Sequence, residues 1–291
     1  MDEHTLKIID CFENFLVYCQ AEKGLLNSTI VNYKNDFKTF YKFISKEFVS
    51  ELNEDDLINF LYYQMDNGNK ANTIIRRIST IESFFTFLKE EYSLNNFSNC
   101  KLERPKVGKK LPEYLNNEEI NRLFNFLNNS KNYSTYKLIF EMFYYCGLRL
   151  SELTNLKKSD IKVSQKLISV NGKGKKIRHI PITDDFLNEL IAYNSTNHNS
   201  LYFFSDNNGN KLKNNSVYNN IRKIGIEANV NKNLHPHMLR HSFATHLINN
   251  NVSFMAIKDL LGHEDIKTTQ IYVHLNTAKK VQSYDLYRED K

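Results

Sequence analysis

Residues 235–247 read HPHMLRHSFATHL. The run predicts a helix over about 236–250, and His237 and Arg240 then lie one turn apart on a shared face. Beyond it, further helices are expected near 253–261 and 266–275, separated by Gly262 and His263 in LLGHEDIKTTQIYVH (260–274). Before it, helical spacing places elements at 117–129, about 132–146, 184–193 and 215–228, with Cys146-Gly147 ending the second and Gly225 weakening the last. One β feature interrupts. Leu167–Val170 and Arg178–Ile182 are short β-prone runs joined by Asn-Gly-Lys-Gly-Lys-Lys, which reads as a hairpin with a glycine-rich tip. The region is mostly α with a small antiparallel sheet.

The first ninety residues carry four amphipathic patterns, the signature of a small helical bundle. Ile8, Phe12, Phe15, Leu16 and Cys19 recur at helical spacing, with Gly24 as a stop. Ser28 or Thr29 is the expected cap of a second helix bearing Phe37 and Phe40; Glu54-Asp55-Asp56 opens a third, ended by Asn67-Gly68-Asn69. A fourth, after Asn72, carries Ile74, Ile78, Ile81, Phe84, Phe85 and Leu88. These aromatic stripes read as core. Lys70, Arg76 and Arg77, at the start of the fourth helix, are the candidate phosphate contacts. Residues 95–112, NNFSNCKLERPKVGKKLP, lose the periodicity and read as a basic interdomain linker, giving domains at 1–94 and 113–291.

The net charge of +6 is unevenly placed: −4 over residues 1–90, +3 over 91–112 and +7 over 113–291. A basic second domain raises the odds of a polyanionic partner. No apolar run reaches the ~18 residues of a membrane span, and the charged start MDEHTLKIID does not read as a signal peptide. The four cysteines, Cys11, Cys19, Cys100 and Cys146, form no CxxC and fit reduced thiols, so a cytoplasmic location is expected. No GxxxxGK[ST] loop points to nucleotide hydrolysis, and no carboxylate cluster has two-metal spacing. His237, His241 and His246 have spacings that zinc ligands use, but no Glu or Cys completes a set, and no metal or cofactor is expected.

Singly, each polar residue of the second domain is ordinary. Their order is not. Arg149 in GLRLSEL, Lys173 in NGKGKKIRHIP, His237 and Arg240 in HPHMLRHSFATHL, then His263 and Tyr272 in LLGHEDIKTTQIYVH together resemble the tyrosine recombinases of the phage integrase family. The runs NSTIVNYKNDFKTFYKFI (27–44) and NTIIRRISTIESFFTFL (72–88) are similar to that family's helical core-binding domain. The resemblance covers essentially the whole chain, and length and segments resemble the Xer-type subgroup most. It implies an N-terminal four-helix, SAM-like core-binding domain and a mostly helical catalytic domain with a small antiparallel β-sheet.

The resemblance also implies roles. Arg149 and Arg240 would clamp the scissile phosphate, since guanidiniums stay charged and donate in fork geometry. His263 would add a third donor. Tyr272 would be the nucleophile, giving a 3′-phosphotyrosyl enzyme; a phenol with a pKa near ~10 leaves again more readily than an aliphatic alkoxide. Lys173 would protonate the departing 5′-oxygen, His237 would serve as acid/base, and Glu152, one helical turn from Arg149, would orient the site. Lys175 and Lys176 in the hairpin are further DNA-contact candidates. A tail helix at about 277–287 would dock into a neighbouring subunit of a homo- or hetero-tetramer on double-stranded DNA. The expected role is Xer-like chromosome dimer resolution with a second recombinase and a septal DNA translocase. The alternatives are an integrase of a phage, transposon or other mobile element, a type IB topoisomerase-like relaxase, and a non-catalytic DNA-binding protein. The helical pattern begins near Ile8, so no arm-binding module is expected ahead of it.

Overall fold

The computed structural model describes residues 6–92, 104–105, 113–172, 176–196 and 200–262. The chain divides into two compact units, Met1–Lys110 and Leu111–Lys291.

The first unit is four helices: α1 (Ile8–Ala21), α2 (Asn27–Ile44), α3 (Glu54–Asp66) and α4 (Ala71–Tyr92). Its core is largely aromatic. The Phe12 ring stacks on Phe37 with centroids 3.5 Å apart, Phe84 meets both edge-on, and Phe40 sits edge-on to Phe60. Such rings bury much area each and gain further from offset and edge geometry. The stripes read from the sequence are therefore core. Asn53 and Asp56 cap α3 reciprocally, each side chain accepting from the other's backbone N–H at 3.1 and 2.9 Å. The expected Ser28 or Thr29 cap is not used. Position 26 is the N-cap of α2, and the Thr29 N–H bonds to the Leu26 carbonyl at 2.8 Å instead. Among the described residues no helix is long and apolar enough to cross a membrane.

The second unit runs α5 (Asn117–Asn129), α6 (Ser134–Tyr145), α7 (Leu150–Asn155), β1 (Ile161–Lys162), β2 (Leu167–Asn171), β3 (Ile177–Pro181), α8 (Asp184–Thr196), α9 (Asn214–Glu227), α10 (Pro236–Asn249) and α11 (Phe254–Leu261). The strands form an antiparallel sheet in the order β1-β2-β3, with Ile168 opposite Ile180 and Val170 opposite Arg178. Side chains alternate between faces along a strand, so Ile168, Val170 and Ile180 enter the core and Arg178 shares their face. The two-residue β1 is too short to leave a periodic signal in sequence.

α10 is the most enclosed helix of this unit: Met238 through Thr245 are all buried, polar residues included. Ser242 accepts the Leu115 N–H at 2.8 Å and donates to the Met238 carbonyl at 2.8 Å, tying the segment before α5 to α10. Phe243, Ala244, Ile257 and Leu261 hold α11 against α10. α9 runs unbroken through Gly225. A Cβ there would lie 2.7 Å from Leu234 Cβ, so the glycine permits close packing of the chain that leads into α10. Gly225→Ala is therefore expected to lower stability by roughly 1–3 kcal/mol through overpacking, although alanine is the better helix former by ~1 kcal/mol. Urea unfolding measures the sign; a stabilised variant would contradict the contact.

Candidate active site

The site starts from a turn. α6 stops at Cys146, and Gly147 takes a left-handed conformation, φ +58°. A Cβ at Gly147 would sit 2.7 Å from the Phe243 ring, so both the backbone angle and the space demand glycine. The turn delivers Arg149 to the N-cap position of α7 and places Glu152 three residues on, where its Oε2 accepts the Arg149 backbone N–H at 2.7 Å. This is half of a capping box, with a carboxylate at the positive end of a helix.

Glu152 is the centre of the arrangement. Its Oε1 accepts from Arg149 Nη1 and Arg178 Nη1, each at 2.8 Å. Its Oε2 accepts from Arg178 Nη2 at 2.8 Å, and Arg240 Nη1 lies 3.9 Å away. Burial alone would raise its pKa. The hydrogen bonds and charge of Arg178, and the hydrogen bonds from Arg149, outweigh burial and bring it down to about 2. Glu152 is therefore a fixed anion.

The same three arginines converge on one helix end. Arg178 Nε donates to the Leu260 carbonyl at 2.8 Å, Arg240 Nη2 to the Leu261 carbonyl at 2.6 Å, and Arg149 Nη2 to the Gly262 carbonyl at 3.2 Å. These carbonyls close α11, where an α-helix has no donors of its own to satisfy them. Arg240 Nη1 also donates to the Gly147 carbonyl. One arginine comes from the turn before α7, one from β3 and one from α10. Three guanidiniums around one carboxylate leave an excess of positive charge, which suits an anionic ligand. Arg149 keeps 30% of its side chain exposed and faces solvent most; Arg178 and Arg240 keep 9% and 5%.

His237 lies in the first turn of α10, one turn before Arg240, with His235 as N-cap accepting the Met238 N–H at 3.1 Å through Nδ1. Its side chain opens to solvent, yet desolvation on its inner side lowers its pKa, with Arg240, His235 and Arg149 adding to the effect. The helix N-terminus acts in the same direction. The imidazole is thus neutral near pH 7 and able to take a proton.

The structure thus brings Arg149, Glu152, His237 and Arg240 together. Lys173, Lys175, His263 and Tyr272 lie outside the described residues, as do the tail helix near 277–287 and most of 95–112. Lys176 is exposed immediately before β3, and Lys70 is exposed immediately before α4. In the first unit Arg76 donates to the buried Asp36, and Arg77 donates to Gln64 and lies 3.9 Å from Asp36. Arg76 is half exposed, whereas Arg77 is mostly enclosed. His246 Nδ1 pairs with the Tyr144 hydroxyl at 2.8 Å. Among the described residues no group of three or more His, Cys, Asp or Glu is placed to hold a metal ion.

Sequence reasoning missed Arg178. Its signal was available: a charged residue two positions before Ile180, at an inward register of the hairpin, needs a buried partner.

The Phage integrase family profile matches residues 113–279, and the Phage integrase N-terminal SAM-like domain profile matches residues 12–92. Tyrosine recombinase XerD of Oceanobacillus iheyensis is 33% identical over 287 residues, covering 94% of this chain and 97% of that protein. XerD of Staphylococcus aureus is 33% identical over 288 residues with the same coverage, 94% and 97%. Among solved structures, the XerH site-specific recombinase bound to a palindromic difH substrate in a post-cleavage complex superimposes with a TM-score of 0.73. It is 23% identical, and the match covers 89% of this chain and 80% of that one.

The depressed pKa of Glu152 gives a pH test. Its stabilisation is complete above the unfolded value near 4.5 and is lost as pH falls toward about 2. Glu152→Gln is expected to cost roughly 3 kcal/mol at pH 7, with the gap to the native chain closing progressively below pH 4.5. Denaturant melts across pH measure it; a gap independent of pH would remove Glu152 from the role of fixed anion.

Proposed function

The chain belongs to the phage integrase family, and on that premise we propose how its residues cut and rejoin DNA. It is a tyrosine recombinase, and its chemistry is two successive transesterifications. Tyr272 Oη attacks the scissile phosphorus; the P–Oη bond forms as the P–O5′ bond breaks, leaving a 3′-phosphotyrosyl enzyme and a free 5′-hydroxyl. Lys173 supplies the proton to the departing oxygen, and His237, held neutral, exchanges the phenolic proton. The 5′-hydroxyl of a partner strand then attacks the phosphotyrosine, and Tyr272 leaves. One phosphoester replaces another at each step, so the bond energy is conserved and no nucleotide hydrolysis is needed.

The convergence of Arg149 and Arg240 on Glu152 carries this reading. Both guanidiniums are oriented before any phosphate arrives, so their charge does not need to reorganise as negative charge builds on the non-bridging oxygens. His263 follows Gly262 directly and would add the third donor. Residues 113–291 form the catalytic domain. Residues 1–94 form the core-binding domain, with Lys70 and Arg76 as its exposed phosphate contacts; Lys175 and Lys176 of the hairpin would add further contacts. The identity to XerD proteins over nearly the whole chain supports an Xer-like role. That role is resolution of chromosome dimers in the cytoplasm, through a Holliday junction. A tetramer would carry it out with a second recombinase and a septal translocase.

Tyr272→Phe is expected to abolish covalent adducts on a nicked suicide duplex while leaving duplex affinity within about threefold. Gel analysis of denatured complexes reads the adduct, and a persisting adduct would remove Tyr272 from the nucleophile role. Arg149→Ala is expected to cost cleavage about a hundred- to a thousandfold and binding far less. Single-turnover cleavage at saturating duplex measures this; equal losses would mark Arg149 as a plain phosphate contact.

A further inference from the structure

Arg178 stands apart from the other two arginines in its grip on Glu152. Both oxygens of Glu152 are taken by its Nη1 and Nη2 in a fork, each at 2.8 Å, and its Nε donates to the Leu260 carbonyl at 2.8 Å. Only 9% of its side chain is exposed, against 30% for Arg149; Arg240, at 5%, is enclosed too but bonds neither Glu152 oxygen and lies 3.9 Å from one of them. Gly262 packs directly beneath it: a Cβ there would lie 3.0 Å from Arg178 Cδ, and the residue is left-handed at φ +61°. Arg178 Nε, Nη1 and Nη2 thus all donate into the protein, to the end of α11 and to the carboxylate.

From this geometry we infer that Arg178 is a positioning residue for strand cleavage, holding Glu152 and the end of α11 so that Arg149 and Arg240 stay aimed at the phosphate. The inference rests on the recombinase reading above and deepens it. The physical reason is competition. Glu152 accepts from Arg149 and lies 3.9 Å from Arg240. With Arg178 gone, the buried carboxylate would have only those two guanidiniums to neutralise it. Both would be drawn toward it and away from the substrate. The Leu260 carbonyl would lose its donor at the same time, loosening the chain immediately before His263. A lysine cannot substitute. Its ammonium is a point charge and does not bond both carboxylate oxygens in plane while also reaching a carbonyl on another element.

The test uses the full chain and a nicked duplex carrying a site selected from random-sequence DNA by the protein's own binding. Thermal melts of Arg178→Gln and Arg178→Lys are recorded first. Arg178→Gln is expected to slow covalent adduct formation at saturating duplex about a hundredfold, as a misplaced clamp does, while duplex affinity changes by about threefold or less. Arg178→Lys is expected to melt close to the native chain and yet to recover less than about tenfold of the lost rate. Arg178→Gln and Glu152→Gln combined are expected to cost little more than either alone, because both act through one pair. Equal losses in binding and rate, full recovery by lysine, or additive effects would each overturn the inference. Where Arg178→Gln does not fold, the lysine variant decides alone: a native cleavage rate in it overturns the inference, and a slow rate with a native melt supports it. Failure of the native chain to form any adduct would instead overturn the recombinase reading, together with any cleavage role for Arg178.

Discussion

One buried carboxylate, Glu152, ties the candidate site together. Glu152 is 9% exposed, and moving such a charge out of water costs several kcal/mol unless it is paired and fully hydrogen-bonded. Here the pairing is supplied by guanidiniums from the turn before α7 and from β3, with a third from α10 nearby. The carboxylate therefore links three elements that are distant in sequence. The reverse also holds: the arginines could not crowd this closely without an anion between them. Two of the three are themselves largely buried, so their order is maintained in the free protein.

The end of α11 shares the same arginines. Its last carbonyls, at Leu260, Leu261 and Gly262, would otherwise be unsatisfied, and each receives one guanidinium. The left-handed Gly147 and Gly262 make this possible, the first by letting α6 turn against Phe243 and the second by lying flat beneath Arg178. A methyl group at either would push an arginine or a core ring out of place. The construction places rigid packing directly behind the groups proposed to touch the phosphate, which is where preorganisation is most useful.

The first unit is built on other terms. Its stability comes from a dense aromatic core, and its charged interior is limited to groups such as Asp36, which accepts from Arg76 and from the Thr80 hydroxyl at 3.1 Å. Arg77 is largely drawn into that interior network, whereas Arg76 keeps half its side chain in solvent. Two adjacent arginines that look equivalent in sequence therefore differ in what they can offer a phosphate.

Local pattern determined most of the element list. The helices at 117–129, 54–66 and 236–249 are legible because apolar periodicity and polar starts act over a few residues. The hairpin was legible from its glycine-rich tip. The family was legible from the order Arg149, Lys173, His237, Arg240, His263, Tyr272 as a whole, although each residue alone is common. Tertiary structure decided the rest. Sequence spacing put Glu152 one turn from Arg149 but could not reveal that Arg178, 26 residues later, completes its pairing, because register across the sheet and packing of β3 against α11 bring them together. Gly225 looked like a weak point in a helix and is a close contact with Leu234, a distinction that depends on what lies opposite. Periodicity reports which face of an element is buried; only the assembled fold reports which charge meets which.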